Sequence, residues 1–190
     1  MSSVPFCLTV FRLTVALVVL PPLFFWLPWE THFGAAVLLA LFTGFCALTD
    51  FFDGYVARRW CCESTLGRLL DPIADKVFVT AIFLFLLVAG RLDVLVVLVT
   101  VAREFLVTAL REAAQQEGFS VPVSWMAKGK TLAQMVTGIY LLVCPAYYGY
   151  GWIGWRLAEI VLVWATVLLS LVSALGYVRG FLVKRGCLLE

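Results

Sequence analysis

Six long apolar runs, at roughly residues 5–28, 33–57, 72–90, 92–112, 131–149 and 154–181, take up most of this 190-residue chain. A helix needs about 20 mostly apolar residues to cross a hydrocarbon core. A backbone placed there must satisfy its own hydrogen bonds, so runs of this length read as helices. Composition agrees: 63% of the residues are hydrophobic and 14% charged, against roughly half apolar in a soluble domain. The first run is too long for a cleavable signal, contains Arg12, and has no small-residue cleavage site before "PWETHFG", so it is expected to remain as a helix. Only the connection between the fourth and fifth runs is long. The expectation is an all-α polytopic membrane protein with six transmembrane helices, forming a single domain over residues 1–190.

Cytoplasmic loops hold the excess of Lys and Arg. With the N-terminus inside, Arg12, Arg58, Arg59, Arg68, Lys76, Arg103, Arg111, Lys128, Lys130, Arg179, Lys184 and Arg185 fall in or near the cytoplasmic half, and only Arg91 and Arg156 fall outside. Both termini are therefore placed in the cytoplasm. Trp26, Trp29, Tyr147, Tyr148, Tyr150, Trp152 and Trp155 suit an aromatic belt at the outer interface. The six cysteines have no zinc-type spacing and read as reduced, small apolar side chains. The one histidine, His32, reads as a loop residue on the opposite side from the acidic groups described next.

The segment "TDFFDGYVARRWCCESTLGRLLDPIADK" gathers four aspartates, Asp50, Asp53, Asp71 and Asp75, at the cytoplasmic ends of the second and third runs. Residues three or four apart share a helix face, so each pair projects from one side of its helix, and a short turn lets the two faces meet. Carboxylates at that density repel unless cations are present. Oxygen-only donors suit hard divalent ions, Mg2+ or Mn2+. Gly54, Ala57 and Gly67 remove bulk beside the carboxylates, as if something approaches the backbone closely. Pro72 is expected in the first turn of the third helix, with that helix's amide end towards the acidic site. A salt network with Arg58, Arg59, Arg68 and Lys76 would explain the charge but not the spacing.

Read from Asp50 through Gly54, Ala57, Arg58, Gly67 and Asp71 to Asp75, the pattern D-x-x-D-G-x-x-A-R-x8-G-x-x-x-D-x-x-x-D resembles the signature of the CDP-alcohol phosphotransferase family, with no position missing. The resemblance implies that family's six-helix membrane fold and a homodimer. It also implies transfer of a phosphatidyl or similar group from a CDP-linked donor to an alcohol, with release of CMP. By the same resemblance, Asp50, Asp53, Asp71 and Asp75 hold two divalent ions, and Asp75 takes the proton of the attacking hydroxyl. Gly54, Ala57, Arg58, Ser64 and Gly67 contact the CDP-diacylglycerol donor. The expected setting is a bacterial inner membrane, with lipids around the protein, the active site on the cytoplasmic side, and no nucleic-acid partner.

The signature does not name the acceptor. "AREFLVTALRE" places Arg103 and Arg111 about two turns apart on the fourth helix, and Lys128 and Lys130 lead into the fifth. Charges inside a spanning helix face a polar cavity, and cations there suit an acceptor that is itself a phosphate ester. These segments, with "LLDPIADK", look like the branch of the family that uses glycerol 3-phosphate as acceptor, which would put Arg103, Arg111, Lys128 and Lys130 on its phosphate. Pairing of the arginines with Glu104, Glu112 or a lipid headgroup is the alternative. Ser3 and Phe6 stand where that branch carries asparagine. This leaves open a sister activity, another CDP-diacylglycerol-dependent transferase making phosphatidylinositol phosphate or cardiolipin. Cation transport fits less well, because transport carboxylates belong near mid-membrane on broken helices.

Overall fold

The structure is a computed structural model that describes the backbone of residues 10, 11, 13–60, 65–119, 125–144 and 153–189, with side chains at 10, 11, 13–48, 73, 74, 76–119, 129–144 and 154–186. Among the described residues every regular element is helical. A π-helical turn, Val15–Val19, leads into α1 (Leu20–Trp26), followed by α2 (Phe33–Trp60), α3 (Thr65–Val88), α4 (Val94–Gln116), α5 (Trp125–Val143) and α6 (Ile153–Leu189). The π turn has a local cause. Pro21 and Pro22 lack amide hydrogens and their rings crowd the carbonyls four residues back. The widened turn instead lets Leu20 N–H reach the Val15 carbonyl.

Two helices begin earlier than the apolar runs announce. α3 starts at Thr65, so Pro72 lies in the helix interior rather than the first turn, and the expected amide end beside Asp71 is not there. Lacking an N–H, Pro72 leaves the Arg68 carbonyl without its helical donor. α5 starts at Trp125, which puts Lys128 and Lys130 inside the helix. Trp29 also departs from expectation. It is 3% exposed, donates from Nε1 to the Phe24 carbonyl at 3.1 Å and meets the Phe24 ring edge-on, so it belongs to the core. Trp26 and Trp155 are exposed; the other expected belt residues lie outside the described residues.

The apolar core is built where α1, α2, α3 and α5 meet, with Leu20, Leu39, Phe83, Leu86, Leu141 and Leu142 at its centre. α6 packs along α4 and α5. α2 and α3 approach α5 closely at glycines: a Cβ on Gly138 would stand 3.3 Å from Ile82 Cγ2, and one on Gly44 3.4 Å from Ile139 Cδ1. Gly138→Leu is therefore expected to cost about 1–3 kcal/mol by overpacking, read as a lower unfolding temperature in detergent; an unchanged temperature would mean that α3 and α5 are less tightly apposed than this.

Among the described residues, Gly154–Gly186 in α6 is the one helical stretch long and apolar enough to cross a membrane by its own composition. α4 has the length but carries Arg103, Glu104, Arg111 and Glu112.

Candidate active site

The α3–α4 hairpin sets the register. α3 closes on Gly90, whose φ of 68° lies in the left-handed region. There Arg91 N–H bonds to the Leu86 carbonyl and Gly90 N–H to the Leu87 carbonyl, a glycine C-cap of the Schellman kind. Asp93 then caps α4, accepting from Leu95 N–H at 2.7 Å. The two helices return antiparallel, and far down the hairpin Lys76 Nζ donates to Thr108 Oγ1. Lys76 and Thr108 are equidistant in sequence from Leu92. Thr108 in turn donates to the Glu104 carbonyl at 2.7 Å.

The other pairings extend this level across the bundle. Lys130 on α5 reaches Glu104, while at the far end Arg91 bonds to the Cys144 carbonyl at the end of α5; α5 therefore runs antiparallel to α4. Arg103 meets Ser170 and Ser173, and Arg111 meets Tyr177, so α6 runs parallel to α4. One level thus holds Lys76, Thr108, Glu104, Lys130 and Ser173. Asp75, the covalent neighbour of Lys76, belongs to it by its place on the α3 backbone.

The side chains of Asp50, Asp53, Asp71 and Asp75 lie outside the described residues, as do those of Gly54, Ala57, Arg58, Gly67 and Lys128, and Ser64 altogether. What the structure gives for the aspartates is the backbone. Asp50 and Asp53 fall within one uninterrupted helix, α2, and Asp71 and Asp75 within another, α3. The three- and four-residue spacings therefore do put each pair on a shared face. An oxygen-only donor set on two helix faces fits hard divalent cations.

Of the expected acceptor cations with described side chains, Arg103 and Lys130 are brought together on Glu104, and Arg111 stands about two turns further along α4 beside Tyr177. Arg103 is 6% exposed. Its Nε donates to the Ser170 carbonyl at 3.2 Å, one terminal nitrogen to Glu104 Oε1 at 3.2 Å, and the other to Ser173 Oγ at 2.6 Å. The same Glu104 oxygen accepts from Lys130 Nζ and from Gln134 Nε2, the latter at 3.4 Å. The pairing of Arg103 with its neighbouring glutamate is thus present, and Arg103 ties α4 to α6. Arg111 is exposed, its guanidinium 5.6 Å from the centre of the Tyr177 ring and 3.0 Å from the Tyr177 hydroxyl.

Gln134, Ser170 and Ser173 were not singled out from the sequence, and Glu104 was named there only as an alternative partner for the arginines. A signal for them exists in the periodicity. Thr166, Ser170, Ser173 and Tyr177 repeat at four, three and four residues on α6, and Lys130, Gln134 and Thr137 at four and three on α5. All are buried, and the Thr137 and Thr166 hydroxyls meet at 2.8 Å. Polar stripes at helical spacing on otherwise apolar helices mark an internal seam.

Comparison with known proteins agrees with the signature. A family model for CDP-alcohol phosphatidyltransferase matches residues 3–172. A protein of Rickettsia bellii (strain RML369-C) named CDP-diacylglycerol--glycerol-3-phosphate 3-phosphatidyltransferase is 37% identical over 77% of this chain and 80% of its own length. Proteins with the same name from Rickettsia typhi (strain ATCC VR-144 / Wilmington) and Salmonella paratyphi A (strain ATCC 9150 / SARB42) are 34% and 38% identical, over 88% and 99% of this chain and 93% and 98% of their own lengths. Matches of this extent, over a chain whose paired aspartates sit on two continuous helices, place it in the CDP-alcohol phosphatidyltransferase family.

Proposed function

We propose that this protein transfers the phosphatidyl group of CDP-diacylglycerol to sn-glycerol 3-phosphate, giving phosphatidylglycerophosphate and CMP. The observation that carries the reading is the shared level of α3, α4 and α5. The contact of Lys76 with Thr108 sets the helix of Asp75 beside a buried group that includes Arg103 and Lys130. A phosphate ester is an acceptor that uses those cations; choline or ethanolamine, which carries no anionic group, gives them no partner. The names carried by the relatives point to the same donor and acceptor.

In this reading Asp50, Asp53, Asp71 and Asp75 would hold Mg2+ or Mn2+, two ions in all. What such ions supply when bound is neutralising charge for the donor's diphosphate. Arg58 pairs with that diphosphate, and Gly54, Ala57, Ser64 and Gly67 let the CDP part lie close to the backbone. Lys130, Lys128 and Arg111 draw in the acceptor's phosphate, with Arg103 adding charge from behind. Asp75 takes the proton of the acceptor's free primary hydroxyl as its oxygen bonds to the phosphorus carrying diacylglycerol. The bond from that phosphorus to the bridging oxygen breaks, and CMP leaves with the electron pair. The family and the apolar α6 point to association with a membrane. We extend this to six spanning helices in a bacterial inner membrane, with the site and both termini cytoplasmic, and to a homodimer.

The test is CMP release by purified protein given CDP-diacylglycerol, Mg2+ and a panel of alcohols. Glycerol 3-phosphate is expected to be used well and glycerol poorly, with inositol phosphate and phosphatidylglycerol testing the two sister activities. Arg111→Ala should raise the acceptor KM by about one to two powers of ten, the value of a charge-assisted contact, and leave the donor KM nearly unchanged. Arg111→Lys should recover part of the loss, since an ammonium lacks the bidentate fork. Equal use of glycerol and glycerol 3-phosphate would remove the acceptor from this reading.

A further inference from the structure

Glu104 has no place in the family signature, yet three polar side chains converge on its Oε1: Arg103 from its own helix, and Lys130 and Gln134 from α5. The carboxylate is itself largely buried, its side chain 13% exposed, and so is that of Lys130, at 7%. Its own position is fixed from behind. Arg103 anchors to the Ser170 carbonyl and the Ser173 hydroxyl of α6, and Thr108 ties back to the Glu104 carbonyl one turn along α4. A lysine has a flexible four-carbon stem and a rotatable head. Here that head is led to one oxygen on a neighbouring helix.

We propose that Glu104 is a positioning residue that holds the Lys130 ammonium where the acceptor's phosphate binds. The proposal rests on the reading that Lys130 contacts that phosphate. Two effects of Glu104 oppose each other. Its charge repels an incoming phosphate, which would weaken binding. Its fixed oxygen confines Lys130 and offsets the cost of burying a cation, which favours binding. Anchorage through Arg103 to α6 and through Gln134 to α5 makes the second effect the larger, because a carboxylate placed only to neutralise charge needs no such set of restraints. Glu104 also links the acceptor side to the α3 helix of Asp75, through Thr108 and Lys76.

The experiment uses the full-length protein in detergent or lipid nanodiscs and follows CMP release while donor and acceptor are varied separately. Glu104→Gln keeps the size and the accepting oxygen but removes the charge. It should raise the acceptor KM about tenfold, a share of the value of a charge-assisted contact, and leave kcat and the donor KM within about twofold. In a Lys130→Met background the same change should add less than about twofold, because residues acting through one another are not additive. A lowered or unchanged acceptor KM in Glu104→Gln would overturn the proposal. So would equal rises in donor and acceptor KM, or full additivity with Lys130→Met. Where Glu104→Gln does not fold, Glu104→Asp keeps the charge but withdraws the oxygens by one methylene, and an unchanged acceptor KM there would overturn the proposal too. Failure of the acceptor reading looks different: Lys130→Met would leave the acceptor KM unchanged, or the wild type would not prefer glycerol 3-phosphate to glycerol. A raised KM in Lys130→Met with none in either Glu104 variant removes the positioning role alone.

Discussion

Asp75→Asn is expected to lower the rate of CMP release by about two to four powers of ten, the usual range for loss of a general base, in a protein that still folds. The amide keeps the shape of the carboxylate but does not accept the acceptor's proton. It also loses the charge that a divalent cation requires. Folding should survive because the position lies within a continuous α3, and the register contact of the next residue, Lys76 with Thr108, does not depend on it. The measurement is single-turnover CMP release at saturating Mg2+, acceptor and donor, with unfolding temperature as the control. If the variant kept a large share of the wild-type rate, the proton would have to pass to water or to the acceptor's own phosphate.

Metal removal is the second large effect. Excess chelator should stop turnover completely, and added Mg2+ or Mn2+ should restore it. In the proposed site, four carboxylates gathered beside a diphosphate in a partly dehydrated place would repel one another, at a cost of several kcal/mol, unless cations were present. Asp50→Ala, Asp53→Ala and Asp71→Ala should each lose turnover as well, and each should lose any rise in unfolding temperature that Mg2+ gives the wild type. Undiminished CMP release in excess chelator would separate the aspartates from metal binding altogether.

The helices were legible in the sequence as apolar runs, and α2, α4 and α6 start within a residue or two of them. α3 and α5 were misjudged at their N-terminal ends for a common reason. Thr65 to Asp71 and Trp125 to Lys130 are polar enough to end an apolar run without ending a helix, and hydropathy reads lipid contact rather than backbone conformation. Pro72 misled in the same way: proline is at home in a first turn, but here its helix has already begun. Trp29 has the side chain of an interface residue, but its indole N–H turns inward to the Phe24 carbonyl, a contact that its position in the sequence does not announce.

The site was legible to the extent that its chemistry is local. The aspartate spacing is written within single helices and could be read directly. The Glu104 cluster joins residues 26 apart on α4 and α5, and the Arg103 clamp joins residues 67 and 70 apart on α4 and α6. No short motif carries such pairings. They depend on which helix faces which, and the sequence offered only polar stripes whose partners were unknown. Arg103 shows the consequence. Its charge marked it as a ligand for substrate, whereas three of its nitrogens bond to the protein.

That clamp also bears on how the chain is made. In the proposed topology α4 enters the bilayer with Arg103 and Glu104 aboard, and insertion of one such charge at a helix centre costs about 2.5–3.5 kcal/mol. The partners that relieve this are synthesised later. Lys130 follows Glu104 by 26 residues, and Ser170 follows Arg103 by 67. At roughly 5–20 residues per second, α6 emerges on the order of 3–13 s after α4. Until Lys130 and then Ser170 follow, Arg103 and Glu104 have chiefly each other, side by side in sequence. Nascent chains that end before Ser170 should therefore leave α4 loosely held at the insertion machinery, and chains that include Tyr177 should release it into lipid. The serines of α6, unremarkable in a finished apolar helix, would then act as the signal that lets an earlier helix settle.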